Sequence, residues 1–210
     1  RLWAIRDINF DLKQGESLGI IGHNGTGKTT LLSLILGTIE ADEGKITTKG
    51  KIASLLDLGA GFSPDLTGKE NVYLYSSILG LRLFEIDKIF SKIIEFSELG
   101  SAINNKLRTY SQGMIARLGF STIIHSSPDI LLIDEVLAVG DIKFQEKCII
   151  FLNKFKRKNG TLILVTHDLV NLEKLCEQTL VLDNGENYFY GKTKEAIIKH
   201  KKIMHIKKTK

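Results

Sequence analysis

Apolar residues alternate at Ile8, Phe10 and Leu12, the chain turns at Lys13-Gln14-Gly15, and Ser17-Leu18-Gly19-Ile20-Ile21 follows. That pattern predicts a strand, a turn and a second strand entering the core. After a glycine-rich turn, Leu31, Leu32, Ile35 and Leu36 fall on one face of a helix starting near Lys28. Residues 44–58 read as further strands, with Lys49-Gly50-Lys51 as a turn. Ile130-Leu131-Leu132-Ile133 and Thr161-Leu162-Ile163-Leu164-Val165 are unbroken apolar runs, as strands covered on both faces should be. Between them Gln145, Cys148, Ile149, Leu152 and Phe155 mark a helix, and Asn184-Gly185 predicts a type I′ hairpin.

The texture changes near Pro64. Thr67-Gly68-Lys69-Glu70 has the form of a capping box, in which the Thr oxygen accepts from the third helical N–H while the Glu reaches back. Ile86, Ile89, Phe90, Ile93 and Ile94 recur at helical spacing, and a further helix runs from about Ser111 to His125, with Pro128 closing the stretch. The expected organisation is an α/β core of residues 1–67 and 128–210, mainly parallel in its sheet, interrupted by a helical insert over 68–127. The opening strands make its N-terminal part antiparallel.

Composition narrows the class. With 43% hydrophobic and 25% charged residues and two prolines, disordered and collagen-like chains are excluded. No apolar run approaches the ~20 residues of a membrane helix, and no signal segment opens the chain. The chain begins at Arg1 rather than Met, which implies residues upstream. The net charge of +5 belongs to the end, because Lys192 to Lys210 holds eight lysines against one acid, Glu195. This reads as a solvated basic tail, or one that favours an anionic membrane surface, and not as a nucleic-acid groove across the body. Cys148 and Cys176, isolated and without ligand spacing, read as reduced structural residues.

The chemistry lies in three places. Gly22-His23-Asn24-Gly25-Thr26-Gly27-Lys28-Thr29, followed by Thr30, fits G-x-x-x-x-G-K-[ST] between a strand and a helix. Its backbone N–H groups and the helix dipole would cradle phosphates, Lys28 would reach the β- and γ-phosphates, and the Thr29 hydroxyl would ligate Mg²⁺. Asp134-Glu135 ends a buried strand. The first carboxylate can hold Mg²⁺ and the second can polarise an attacking water.

Third, Tyr110-Ser111-Gln112-Gly113-Met114 at the mouth of a helix resembles the signature motif of ATP-binding cassette proteins. Asp141 in Ala138-Val139-Gly140-Asp141 and His167 in Thr166-His167-Asp168 match that family's loop after the catalytic strand and its switch histidine. The resemblance covers nearly all of residues 1–200. Leu56 to Phe62, Leu66 to Asn71, Ala116 to Phe120 and Leu132 to Asp141 are similar to the ATPase subunits that serve O-antigen, capsule or teichoic acid export. There are departures. The signature ends in Met114, the glutamine that opens the coupling loop is absent, with Asp57 or Leu58 nearest its place, and the aromatic that stacks on adenine is either Trp3 or a residue before Arg1.

The resemblance implies a P-loop NTPase core of RecA-like type, with ATP and Mg²⁺ as its cofactors. It also implies a head-to-tail homodimer in which Ser111, Gln112 and Gly113 of one copy meet the nucleotide held by the other. Glu135 and His167 would be the catalytic residues. Two copies of a separate transmembrane permease would receive the motion through residues 56–71 and the insert, at the cytoplasmic face of the membrane. The cargo would be a lipid-linked glycan. The alternatives are a different exported cargo, or a non-transport cassette acting on ribosomes or DNA.

Overall fold

The computed structural model describes residues 3–56, 61–134 and 141–208. Asp57, Leu58 and Glu135 lie outside the described residues. The elements run β1 (Ser17–Gly22), α1 (Lys28–Leu36), β2 (Ile52–Ser54), α2 (Gly68–Ile78), α3 (Leu83–Ser97), α4 (Gln112–His125), β3 (Ile130–Asp134), α5 (Ile142–Arg157), β4 (Thr161–Val165), α6 (Leu169–Leu175), β5 (Gln178–Asp183), β6 (Glu186–Lys192) and α7 (Thr193–Lys208). The described strands form one sheet in the order β2-β3-β4-β1-β5-β6. All its pairings are parallel except β5 with β6.

Strict alternation along the unbroken apolar strands sends side chains into two clusters. Ile21, Leu131, Ile133, Leu162, Leu164 and Val181 face one side, where Phe120, Phe144, Leu152, Leu172 and Ile197 of the covering helices meet them. Leu18, Ile20, Leu132, Ile163, Val165 and Leu180 face the other, against Leu31, Leu32 and Ile35 of α1. A sheet buried on both faces needs apolar residues at every strand position, which is why these runs lack a period-2 pattern. Asn184 and Gly185 both take positive φ (50° and 80°), the geometry of the type I′ turn between β5 and β6.

Three expectations change. Residues 8–12 form no strand, although their alternation is real: Ile8, Phe10 and Leu12 pack over the α1 face of the sheet while the residues between them are exposed. The segment lies across a sheet face instead of along an edge, so it has no ladder to join. The antiparallel pair is therefore β5–β6 and not the N-terminal part. Of residues 44–58, those described are 44–56, and among them only Ile52–Ser54 is a strand; residues 41–50 are exposed throughout and offer no apolar face to bury. The basic end is no loose tail, since α7 buries Ala196, Ile197 and Ile203 in the core.

Residues 62–118 build a third apolar cluster from Val72, Ile86, Ile93, Leu99, Ile103, Leu107, Tyr110 and Leu118. The Thr67 capping box is present in full: Thr67 Oγ1 accepts from Glu70 N at 3.1 Å and Glu70 Oε2 accepts from Thr67 N at 2.8 Å. Ahead of it, fully buried Asn71 fastens the approach loop. Its Oδ1 accepts from Ser63 N at 2.7 Å, and its Nδ2 donates to the carbonyls of Ser63, Leu66 and Thr67. An aromatic knot joins these helices to the core, with Phe96 against Phe120, Phe144, Phe151 and His125 at centroid distances of 5.6–6.0 Å.

Candidate nucleotide site

Strand register decides which residues meet. Ile20 of β1 pairs with Val165 of β4, and Val165 pairs with Asp134 of β3. Gly22, Asp134 and His167 therefore emerge at the same end of three neighbouring parallel strands. This is the carboxyl end, where open α/β sheets place their ligands.

A cleft of about 480 Å³ opens there, lined by Ala4, Asn24, Gly25, Gly27, Lys28, Thr29, Thr30 and Asp134. Gly27 caps α1 in the left-handed region (φ 92°), and no side chain accepts from the first turn. The helix thus presents its open N–H groups and the positive end of its dipole to the cleft. Gly25 also has positive φ (80°) and would have open space around a Cβ. Lys28 is buried, and its Nζ donates to the carbonyls of Gly22 and His23 at 2.9 Å each. The cation is held at the lip of the loop, where a phosphate would meet it. Thr26 Oγ1 donates to His23 O at 2.8 Å and closes the turn. His23 contributes its carbonyl to both, while its own Nε2 is buried with no hydrogen-bond partner among the described residues.

The N-terminal segment forms the opposite wall, a feature sequence reasoning missed. A Cβ on Gly27 would collide with Ile5 and lie 3.0 Å from Ala4 O, and one on Gly185 would lie 2.8 Å from the same oxygen. Arg6 N donates to Gly185 O at 2.8 Å, and the Arg6 guanidinium pairs with Glu186. Residues 4–6 are thus gripped between the phosphate loop and the β5–β6 turn, with Trp3 exposed beside Ala4 at the cleft. The two glycines at i and i+158 were visible in the sequence, but nothing local shows that one strand of chain fits between them.

Thr29 and Asp134 share the cleft wall. A hydroxyl and a strand-end carboxylate facing a phosphate loop suit Mg²⁺, which binds through one or two protein oxygens and completes its shell with phosphate and water. His167 is exposed just beyond β4. His200 of α7 approaches the same end from below; burial pushes its pKa down, and His23, His167 and Lys28 push it further, against Asp183.

The signature residues stand elsewhere. Ser111 caps α4, accepting from Met114 N at 3.2 Å, and a Cβ on Gly113 would meet only Ser111 Oγ, at 3.8 Å. Neither they nor Gln112 line the cleft. Asp141 is not in the cleft either: it caps α5 through Phe144 N at 2.9 Å and pairs with Arg117 at 2.7 Å. Cys148 and Cys176 are buried, with their thiols pushed up to about 12 by desolvation, and are inert.

A phosphate loop on a mainly parallel sheet, with an acidic strand end across the cleft, defines a P-loop nucleotide-hydrolysing domain. The chain belongs to the ABC transporter family, whose model matches residues 5–138. It is 47% identical over 201 residues to the O-antigen export system ATP-binding protein RfbB of Klebsiella pneumoniae, covering 96% of this chain and 82% of that protein. It is 40% identical over 198 residues to the teichoic acids export ATP-binding protein TagH of Listeria innocua, covering 94% of this chain and 59% of that relative. Among solved structures, a dimeric ATP-binding cassette in a post-hydrolysis state bound to ADP and Pi matches with a TM-score of 0.80 at 25% identity, over 91% of each chain.

Proposed function

We propose that this chain is the ATP-hydrolysing subunit of a membrane exporter whose cargo is a polysaccharide carried on a lipid. The observation that supports it most is the division of the site: Lys28, Thr29 and Asp134 share one cleft, while Ser111 and Gly113 do not line it. A single copy then supplies half of the groups around a γ-phosphate. Two copies packed head to tail would complete two sites, each with Lys28 and Thr29 from one chain and Ser111, Gln112 and Gly113 from the other. The core of residues 1–67 and 128–210 holds the nucleotide, and residues 68–127 carry the signature.

Within one site, the open N–H groups of α1 and Gly25 bind the β-phosphate, and Lys28 exchanges its loop carbonyls for phosphate oxygens. Trp3 lies against the adenine. Thr29 and Asp134 would hold Mg²⁺, which when bound neutralises charge developing on the β- and γ-oxygens. Glu135 orients and polarises the attacking water, and His167 donates to the γ-phosphate. No helix of the described residues is long and apolar enough to cross a membrane. In this reading the motion passes to a separate permease, two copies per dimer, at the cytoplasmic face. The export names of the relatives support the polysaccharide cargo.

The test is purification with a co-expressed export permease and assay of Glu135→Gln. Expected are co-elution with the permease, loss of more than about 95% of turnover, and an ATP-dependent dimer on size-exclusion chromatography. Near-normal turnover without a trapped dimer overturns the catalytic assignment. A chain that hydrolyses ATP but never retains a membrane partner overturns the export reading.

A further inference from the structure

Four charges close a ring where α3, α4 and α5 converge. Arg117 lies six residues beyond Ser111 on α4, and its side chain is 18% exposed. Its Nη2 donates to Asp141 Oδ2 at 2.7 Å and its Nη1 to Glu98 Oε2 at 3.2 Å. The guanidinium rests 4.9 Å from the centroid of the Phe144 ring. Glu98 turns its other oxygen to Lys147 Nζ at 2.8 Å, and Lys147 also donates to the carbonyls of Phe96 (3.0 Å) and Glu95 (3.3 Å). Asp141 caps α5, and Phe144 and Lys147 belong to it, so the contacts leave that helix and return to it.

The strain and exposure of these groups argue against a merely stabilising role. Glu98 ends α3 at φ 58°, a left-handed conformation that favours glycine. Asp141 and Glu98 side chains are 62% and 49% exposed, and ion pairs this open to water add little stability. Their geometry nevertheless commits both oxygens of Asp141, one to Arg117 and one to the Phe144 amide. A planar fork seated on an aromatic ring fixes direction, which a lysine would not do.

Asp141 opens α5 directly after the segment that leaves the Asp134 strand, and Arg117 lies on the helix whose cap is Ser111. We propose that Arg117 is a positioning residue that ties the loop after the catalytic strand to the signature helix of the same chain. Resting on the composite dimer proposed above, the tie passes a shift at one copy's own hydrolysis site to the signature it lends its partner. Asp141 then serves as the loop's half of this brace rather than as a nucleotide ligand.

The full chain is assayed as wild type, Arg117→Gln, Arg117→Lys and Asp141→Asn. Fluorescent-ATP affinity, the ATP dependence of hydrolysis and the melting temperature are measured for each. Arg117→Gln is expected to bind nucleotide within about twofold of wild type, turn over at least about tenfold more slowly, and show a Hill coefficient falling to one. Arg117→Lys, which keeps the charge and the fold, should recover part of the rate but not the cooperativity. Adding Asp141→Asn to Arg117→Gln should cost nothing more, because both break one link. A hydrolysing, cooperative wild type whose Arg117 variants lose only melting temperature overturns this inference and leaves the ATPase reading intact. A wild type without ATP hydrolysis overturns both.

Discussion

The two halves of the proposed composite site are built in opposite ways. At the phosphate-loop end the groups that would touch ligand are mostly backbone, set by Gly25, Gly27 and a wholly buried β1 between two parallel neighbours. At the signature end, α4 is seated by side chains: the Phe96 knot, and the ring of Asp141, Arg117, Glu98 and Lys147. A backbone cradle inside a two-faced sheet can shift little without breaking its ladder. A seat of rings and ion pairs can shift as a unit without breaking a backbone ladder. In the function proposed above, the first end would grip and the second would move.

The largest effect belongs to the gripping end. Lys28→Ala removes the buried cation opposing the β- and γ-phosphates, so ATP affinity should drop by about a hundredfold or more and hydrolysis should vanish. Unchanged affinity by fluorescent-nucleotide titration would remove the cradle from the comparison altogether. The moving end should fail differently. Ser111→Arg leaves one copy's cradle whole, so nucleotide binding stays near wild type while turnover stops. Mixing Ser111→Arg chains with Lys28→Ala chains in equal amounts restores one complete site in each mixed dimer. Activity should return to about a quarter of wild type; an inactive mixture would separate the two ends into different functions.

The same contrast explains what could be read in the sequence. The phosphate loop, the capping box at Thr67, the Ser111 cap and the Asn184-Gly185 turn are local, with geometry following from a few adjacent residues. Asp134 and His167 were legible because parallel strands deliver their ends together. The seat was not legible, since Arg117, Glu98 and Lys147 meet across up to 49 residues and each alone looks like a solvated charge. Residues 8–12 misled for a related reason: alternation reports one buried face and one exposed face, which an extended segment lying across a sheet also has. The lysines of α7 masked Ala196, Ile197 and Ile203, whose burial depends on α6 and β5 being beneath them.

A smaller effect tests how the seat is anchored at its other margin. Asn71 is fully buried and satisfies both its amide and its carbonyl on the 63–67 loop. Asn71→Ala would leave a backbone N–H and up to three carbonyls short of partners, a cost of about 2–3 kcal/mol. Urea unfolding reads the loss. If the helical seat opens independently of the core, the transition should also lose its single step; a parallel shift of one transition would mean that the two halves unfold together.

The smallest effect distinguishes the two ends by pH. His125 sits in the aromatic knot of the moving end, and burial lowers its pKa despite the Ser121 carbonyl at 2.7 Å; Lys92 and Lys147 lower it and Glu95 raises it. His200 sits beneath the gripping end and is lowered first by burial and then by His23, His167 and Lys28. A depressed histidine binds fewer protons folded than unfolded, so its contribution is complete above the unfolded value of about 6.5 and is lost as pH falls through the lowered one. Melting temperature should be level above about pH 7 and decline below it. His125→Gln and His200→Gln should each flatten part of that decline. Nucleotide separates them, because phosphates bound beside Lys28 would attract a proton to His200 while leaving His125, in the knot between α4 and α5, unaffected. With ATP present the His200 share of the decline should shrink and the His125 share should persist. Equal slopes with and without ATP in the His125→Gln variant would mean that α7 does not sense the loop.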